Sequence, residues 1–400
     1  MTELMQRLAA LAKASDGPEG LTRLFLSPAH GQAAGMVAAW MEEAGLVAEI
    51  DAIGNVVGRR GAGPRLILGS HIDTVRNAGT FDGNYGVLAA IEAVRRAGPL
   101  PFGVEVIAFG DEEGVRFPRT LCGSRAVAGI FDPAALAGRD ADGVTMAEAL
   151  AAFGLDPGGI AGLARDPREI LAYVELHIEQ GPVLEAKQLA AGVVTAINGA
   201  SRYAVTVSGA AGHAGTVPMA MRRDALVAAA EMVLVIETVA RAAEDLVATV
   251  GSMTVRPGAP NSIPGEVRFT IDLRAPVDAD RLAAAAAITA ALERIALSRQ
   301  VDLALTQTHE AAATACAPWL RLQLASALEA HGIAPFQLPS GAGHDAMAMA
   351  ALCPVGMLFI RCKGGISHTP EESITAEDAE MGVEVLATFL RGFMPDGRHV

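Results

Sequence analysis

The sequence predicts an α/β chain: a discontinuous domain built on a mixed, mostly parallel sheet, interrupted by an inserted α+β unit of ferredoxin-like order. Three observations predict it. Short apolar runs alternate with helical patterns in both outer parts of the chain, the mark of a sheet with helices on its faces. Four of those runs lead into metal-competent residues: 65–69 into His71, 104–109 into Asp111-Glu112-Glu113, 170–176 into His177, and 356–360 toward His368. Open α/β sheets place their ligands at such carboxyl ends. The stretch 200–315 has a different texture, with the order βαββαβ.

Each element has its own signal. Leu4, Leu8 and Leu11 at helical spacing make 3–14 a helix. Another helix follows Asp82-Gly83, carried by Val87, Leu88, Ile91 and Val94 and stopped at Gly98-Pro99. The apolar segment 346–360 is broken by Pro354 and Gly356 and reads as a buried helix and then a strand. In the insert, 202–208 is a strand, 218–242 a long helix, 246–256 and 266–274 strands, 279–298 a helix and 301–308 a strand. In 266–274, Val267, Phe269, Ile271 and Leu273 point one way, and Arg268, Thr270, Asp272 and Arg274 the other. Such alternation gives one covered face and one open face. The expected domains are therefore 1–199 with 316–400, and 200–315.

Composition bounds the function. At 400 residues the chain has room for two domains. A net charge of −14 argues against nucleic acid, which is bound through clustered Lys and Arg. It leaves room for a small anion, held by one or two local arginines, and for metal cations. No run reaches the roughly 18 apolar residues of a membrane span, and the start lacks a signal-peptide layout. The expectation is a cytoplasmic protein with no membrane partner. Cys122, Cys316, Cys353 and Cys362 show no C-x-x-C spacing and read as reduced thiols.

The chemistry-bearing motifs come in four groups. In Gly-Ser-His71-Ile-Asp73-Thr the imidazole is a metal donor, and Asp73 is placed to orient it through its other nitrogen. Asp82 follows and has two oxygens with which to bridge cations about 3.5–4 Å apart. In Gly-Asp111-Glu112-Glu113-Gly, neighbouring carboxylates on a loop point different ways, so one can ligate while the other moves a proton. Glu175-Leu-His177-Ile-Glu179-Gln180-Gly and Gly-Gly-Ile-Ser-His368-Thr complete the set. Taken singly, each is an ordinary helix cap, acidic turn or structural histidine. Taken together, His71, Asp82, Glu113, His177 and His368 give two cations three ligands each, with Asp82 shared. His30, His309, His331 and His399 are read as structural.

The segments LGSHIDTV, FDGNYGVLAA, GDEEGVRFP, ELHIEQGPVLE, GHAGTVPM, NSIPGEVRFTIDLR, SGAGHDA and GGISHTPEE together resemble the M20-type metallo-amidohydrolases. More narrowly, they are similar to the branch of allantoate amidohydrolases and N-carbamoyl-L-amino-acid hydrolases. The resemblance implies two divalent cations (Zn²⁺ or Mn²⁺, with Co²⁺ possible) on those ligands and Glu112 as general base. It also implies that the insert is a dimerisation lid, with His213 crossing the interface of a homodimer to stabilise a developing oxyanion. Gln180, Arg202, Asn261 and Arg274 would bind a ureido carboxylate, and a cis peptide would join Asp82 and Gly83. His344 and Asp345 would support the site from behind.

Related peptidases carry aspartate at His177, which favours the amidohydrolase branch; the expected activity within it is hydrolysis of allantoate to ureidoglycine, ammonia and CO₂. An N-carbamoyl-L-amino-acid hydrolase of β-ureidopropionase type is the alternative, an aminoacylase or dipeptidase a more distant one. A catalytically silent binder is the alternative of another class. Two departures stand out: Ser201 where some allantoate-specific members have a first arginine beside Arg202, and Arg361-Cys362-Lys363-Gly364 ahead of His368, whose cysteine is a possible extra ligand.

Overall fold

The computed structural model describes residues 2–395. They form two compact units. The first runs through Thr195 and resumes at Cys316–Leu338 and from Ala342 on; the second is Ala196–Ala315 with Pro339–Gly341.

In the first unit the strand order is Val47–Ile50, Val56–Arg60, Gly103–Phe109, Arg65–His71, Ile170–Ile178, Val355–Ile360 and Ala191–Ile197. The middle strands run parallel, with His71 beside Phe109 and Phe359 beside His177. Apart from the half-buried Arg65 that opens one of them, they are buried along their whole length, as parallel strands under helices must be. The helices Asn84–Ala97 and Ala376–Gly392 share one buried cluster with those strands, contributing Tyr85, Val87, Ile91, Val383, Leu386 and Leu390. At about 1.5–3 kcal/mol for each large side chain taken from water, this packing fixes the strand ends from which the site projects.

The second unit carries Gly199–Ser208, Met253–Arg256, Glu266–Ala275 and Asp302–Ala311 in one antiparallel sheet, with Val247–Thr249 paired to the third of these. Two helices, Ala225–Arg241 and Asp278–Arg299, bury its apolar face. The spatial order is that of a ferredoxin-like βαββαβ unit. Alternation along 266–275 is as the sequence requires: the odd positions are buried and the even ones lie on the open face.

Several boundaries differ from expectation. The long helix starts at Ala225, because Pro218 and a short 3₁₀ turn at Met219–Met221 precede the Asp224 N-cap. The strand expected over 246–256 is two strands, interrupted at Gly251. His399 lies outside the described residues. Among those residues no helix is long and apolar enough to cross a membrane.

Candidate active site

His71 is the last residue of its strand, His177 the penultimate residue of the next, and Asp82 sits in the turn before the Asn84–Ala97 helix. Gly83 makes that turn. Its φ is 64°, and a Cβ there would lie 2.5 Å from the His71 ring. Glycine is therefore required.

The two oxygens of Asp82 serve different partners. Oδ1 is 3.5 Å from His71 Nε2 and 3.1 Å from His177 Nε2. Oδ2 is 3.2 Å from His368 Nε2, which in turn is 3.7 Å from Glu113 Oε1. Hence donor atoms of His71, Asp82 and His177 form one group, and those of Asp82, Glu113 and His368 another, each within 4.8 Å. Burial alone would raise the Asp82 carboxyl. Hydrogen bonds from His177, His368 and His71 outweigh it and hold Asp82 well below the usual carboxylate range.

The backbone aims these groups. His177 Nδ1 donates to the Ile178 carbonyl at 2.9 Å, which leaves Nε2 to face the site. His71 Nδ1 is held in the same way, 2.9 Å from the carbonyl oxygen of Asp73. This corrects the expected role of Asp73, whose carboxylate is 3.9 Å from that nitrogen. Its oxygens instead accept the backbone N–H groups of Glu112 (3.1 Å) and Glu113 (3.2 Å). Asp73 thus seats the acidic loop, and its main chain seats His71. Glu112 is raised well above its ordinary value by burial, with Glu113 adding to the effect. Burial likewise lifts Glu113 to about 7.

Non-glycine residues in the left-handed backbone region surround the site: Asp111 (φ 65°), Gln180 (φ 55°) and His368 (φ 60°). Each costs about 1–3 kcal/mol, a cost that folds tend to retain at functional positions. The Asp82–Gly83 bond is not cis; the cis bond among the described residues is Arg256–Pro257. Gly83 turns the chain through its positive φ instead.

Other expected residues fall as follows. Gln180 Nε2 donates to Asp82 Oδ2 at 2.7 Å, so it lies against the central carboxylate. His344 stacks edge-on against His177, ring centroids 4.6 Å apart, and Asp345 is buried beside it. The Cys362 thiol, pushed up to about 12 by burial, donates to the Ile366 carbonyl at 2.9 Å and belongs to neither donor group.

His213, Arg202, Asn261 and Arg274 belong to the second unit. His213 is exposed on a two-stranded ribbon, paired with Ser262, and the Ala214 N–H donates to the Asn261 carbonyl at 3.0 Å. The ribbon thus makes His213 and Asn261 neighbours. Arg202 and Arg274 line a cleft of about 630 Å³ on the open sheet face, and both are paired with Asp272. Ser201 lies on the opposite face, buried against Arg281 and Glu310. An arginine at 201 would therefore not have joined Arg202 in that cleft.

Sequence reasoning missed three residues. Glu372 Oε1 accepts the N–H groups of Phe81 and Asp82, and Ser367 Oγ lies between Glu372 Oε2 (2.8 Å) and Asp82 Oδ2 (3.0 Å). Arg23, fully buried, donates to the Ile72 carbonyl and to Asn84 Oδ1, behind the His71–Asp82 segment. Glu372 was in view within the motif GGISHTPEE. Arg23 has no local signal at all.

Nitrogen donors from three histidines with shared carboxylates suit Zn²⁺, Mn²⁺ or Co²⁺ better than the all-oxygen preference of Ca²⁺. The two donor groups meeting at Asp82 fit a pair of such cations. A mostly parallel sheet with His71 and His177 at its strand ends, and Asp82, Glu113 and His368 in the adjoining loops, defines a class of protein whose centre suits divalent cations. The chain belongs to the peptidase family M20/M25/M40, matched over residues 67–392. It is 43% identical to an N-carbamoyl-L-amino acid amidohydrolase of Geobacillus stearothermophilus, over 96% of each chain. It is 41% identical to an allantoate deiminase of Arabidopsis thaliana, over 98% of this chain and 82% of that one. A solved hydantoinase/carbamoylase-family amidase from Burkholderia multivorans superposes with a TM-score of 0.91 at 35% identity, covering 97% of this chain and 96% of that one. The chain is an amidohydrolase acting on carbon–nitrogen bonds.

Proposed function

We propose that the chain hydrolyses a linear, non-peptide C–N bond in a ureido carboxylate, with allantoate as its substrate. The observation that carries this reading is the division of Asp82 between two histidine-bearing donor groups. His71, Asp82 and His177 would hold one divalent cation and Asp82, Glu113 and His368 the other. The cations would supply Lewis acidity and a lowered water pKa.

Glu112 accepts the proton of the attacking water and returns it to the leaving nitrogen. Asp73 keeps Glu112 and Glu113 in place through their backbone N–H groups. The substrate carboxylate is held by Arg274, with Asn261, Arg202 and Gln180 completing the contacts. The second unit is a dimerisation lid, and His213 reaches the partner's site to stabilise the oxygen that gains charge. One water and one allantoate give ureidoglycine, ammonia and CO₂. An N-carbamoyl-L-amino acid would give the free amino acid and the same two gases; the Geobacillus relative's name supports that second reading.

Ammonia release from allantoate, ureidoglycolate and a panel of N-carbamoyl-L-amino acids, with Mn²⁺ or Zn²⁺ added, tests the assignment. Allantoate is expected to give the highest kcat/KM. A carbamoyl amino acid outrunning it would transfer the assignment to the second reading.

A further inference from the structure

The cleft on the open sheet face of the second unit contains two arginines and one carboxylate, Asp272, with no other Asp, Glu, Lys or Arg in its lining. Asp272 lies directly across the strand pair from Arg202 and two positions from Arg274 on the same face. Its Oδ1 accepts from Arg274 Nε at 2.8 Å, and its Oδ2 from Arg274 Nη2 and Arg202 Nε, both at 2.9 Å. The hydrogen bond from Arg274 holds the Asp272 carboxyl below its ordinary range, Arg202 adding to the effect, so it is charged at neutral pH.

Charge and geometry then restrict what can enter. Two guanidiniums and one carboxylate leave a single positive charge in excess. Arg274 Nη1 is also spent on the Gly341 carbonyl at 2.7 Å. By count one N–H on each terminal nitrogen of Arg274 remains, enough to hold one further carboxylate. A second carboxylate on the same ligand would meet Asp272, already seated between the arginines, and like charges at that range repel.

We infer that Asp272 is a specificity-determining residue that restricts this enzyme to ureido substrates bearing one carboxylate and rejects those bearing two. Selection of this kind works through a repulsive element as much as an attractive one. The inference rests on the reading that this cleft receives the substrate carboxylate of a ureido-hydrolysing enzyme.

The test uses N-carbamoyl-L-asparagine and N-carbamoyl-L-aspartate, which differ in charge with little change in shape, and the metal-supplemented full chain. Wild type is expected to favour the asparagine derivative by at least about tenfold in kcat/KM. Asp272→Asn should shrink that ratio by about tenfold, through a relative gain for the aspartate derivative, and Asp272→Glu should restore it. An unchanged ratio in an Asp272→Asn protein with wild-type circular dichroism would overturn the inference. So would a wild-type enzyme that handles both derivatives equally.

Inhibition of the wild type gives a measure independent of the variant's folding: succinamate should inhibit more strongly than succinate, and the reverse order would also overturn the inference. Failure of the functional reading looks different. In that case the wild type releases no ammonia from allantoate or from any monocarboxylate ureido compound.

Discussion

Glu372 Oε1 accepts the backbone N–H of Asp82 at 3.0 Å and that of Phe81 at 2.7 Å, across some 290 positions of sequence. The contact is close enough to exclude a side chain at position 79, where a Cβ would lie 2.3 Å from the Glu372 side chain. The loop bearing His368 thereby holds the turn bearing Asp82, so the two sides of the donor set form as one piece.

Glu372→Ala should therefore cost about 1–3 kcal/mol for each N–H left without an acceptor. It should also weaken cation binding by about 10–100-fold, as loss of groups behind metal ligands does. Glu372→Gln retains an acceptor oxygen and should recover most of the stability. Urea denaturation and calorimetric Mn²⁺ titration measure both quantities. A Glu372→Ala protein with wild-type values in both would show that the loop holds itself.

Chelation should abolish activity, and Mn²⁺, Co²⁺ or Zn²⁺ should restore it. Asp82→Ala removes the residue common to both donor groups, so metal analysis should find both cations lost. Retention of one cation would mean that the groups are independent.

His30 supplies a pH prediction away from the site. Its Nδ1 accepts the Leu26 N–H at 3.1 Å, and burial lowers it from 6.5 to about 3. The folded state stays neutral while the unfolded chain takes up a proton below about 6.5, so stability falls as pH drops from about 6.5 toward 3. The slope is about 1.4 kcal/mol per pH unit, or about 2 kcal/mol by pH 5. His30→Asn keeps an acceptor and removes the titration. Its urea stability should fall by about that much less between pH 7 and pH 5. Parallel losses in the two proteins would contradict the assignment.

Much of this was legible in the sequence, for physical reasons. Ligand-bearing residues at strand ends announce themselves because a parallel strand is uniformly apolar until it reaches its carboxyl end, as at Phe109-Gly-Asp111. The open face of 266–275 was legible because a strand alternates. The role of Asp73 was not. Proximity in sequence put its carboxylate next to His71, whereas the turn presents its carbonyl to the ring and frees the carboxylate for the 112–113 backbone. Glu372 and Arg23 bind main-chain groups distant in sequence, and such contacts leave no spacing to read. Nor could alternation show that Arg274 shares Asp272 with Arg202, since pairing across strands depends on register.

The proposed dimer makes a sharp prediction of its own. Glu112→Gln and His213→Ala chains, each inactive alone, should complement when subunits exchange. Random pairing leaves about half the dimers mixed, with one intact site in two, so about a quarter of all sites should recover. Exchange verified by mass without recovered activity would place His213 in the site of its own chain.

The account turns most on Glu112 as the group that carries the proton while its neighbours hold the cations. The direct measurement pairs metal analysis with ammonia release from allantoate for Glu112→Gln. Two cations per chain, as in wild type, with turnover reduced by about 10²–10⁴-fold is the expected result. Wild-type turnover in a Glu112→Gln protein with its cations in place would contradict it.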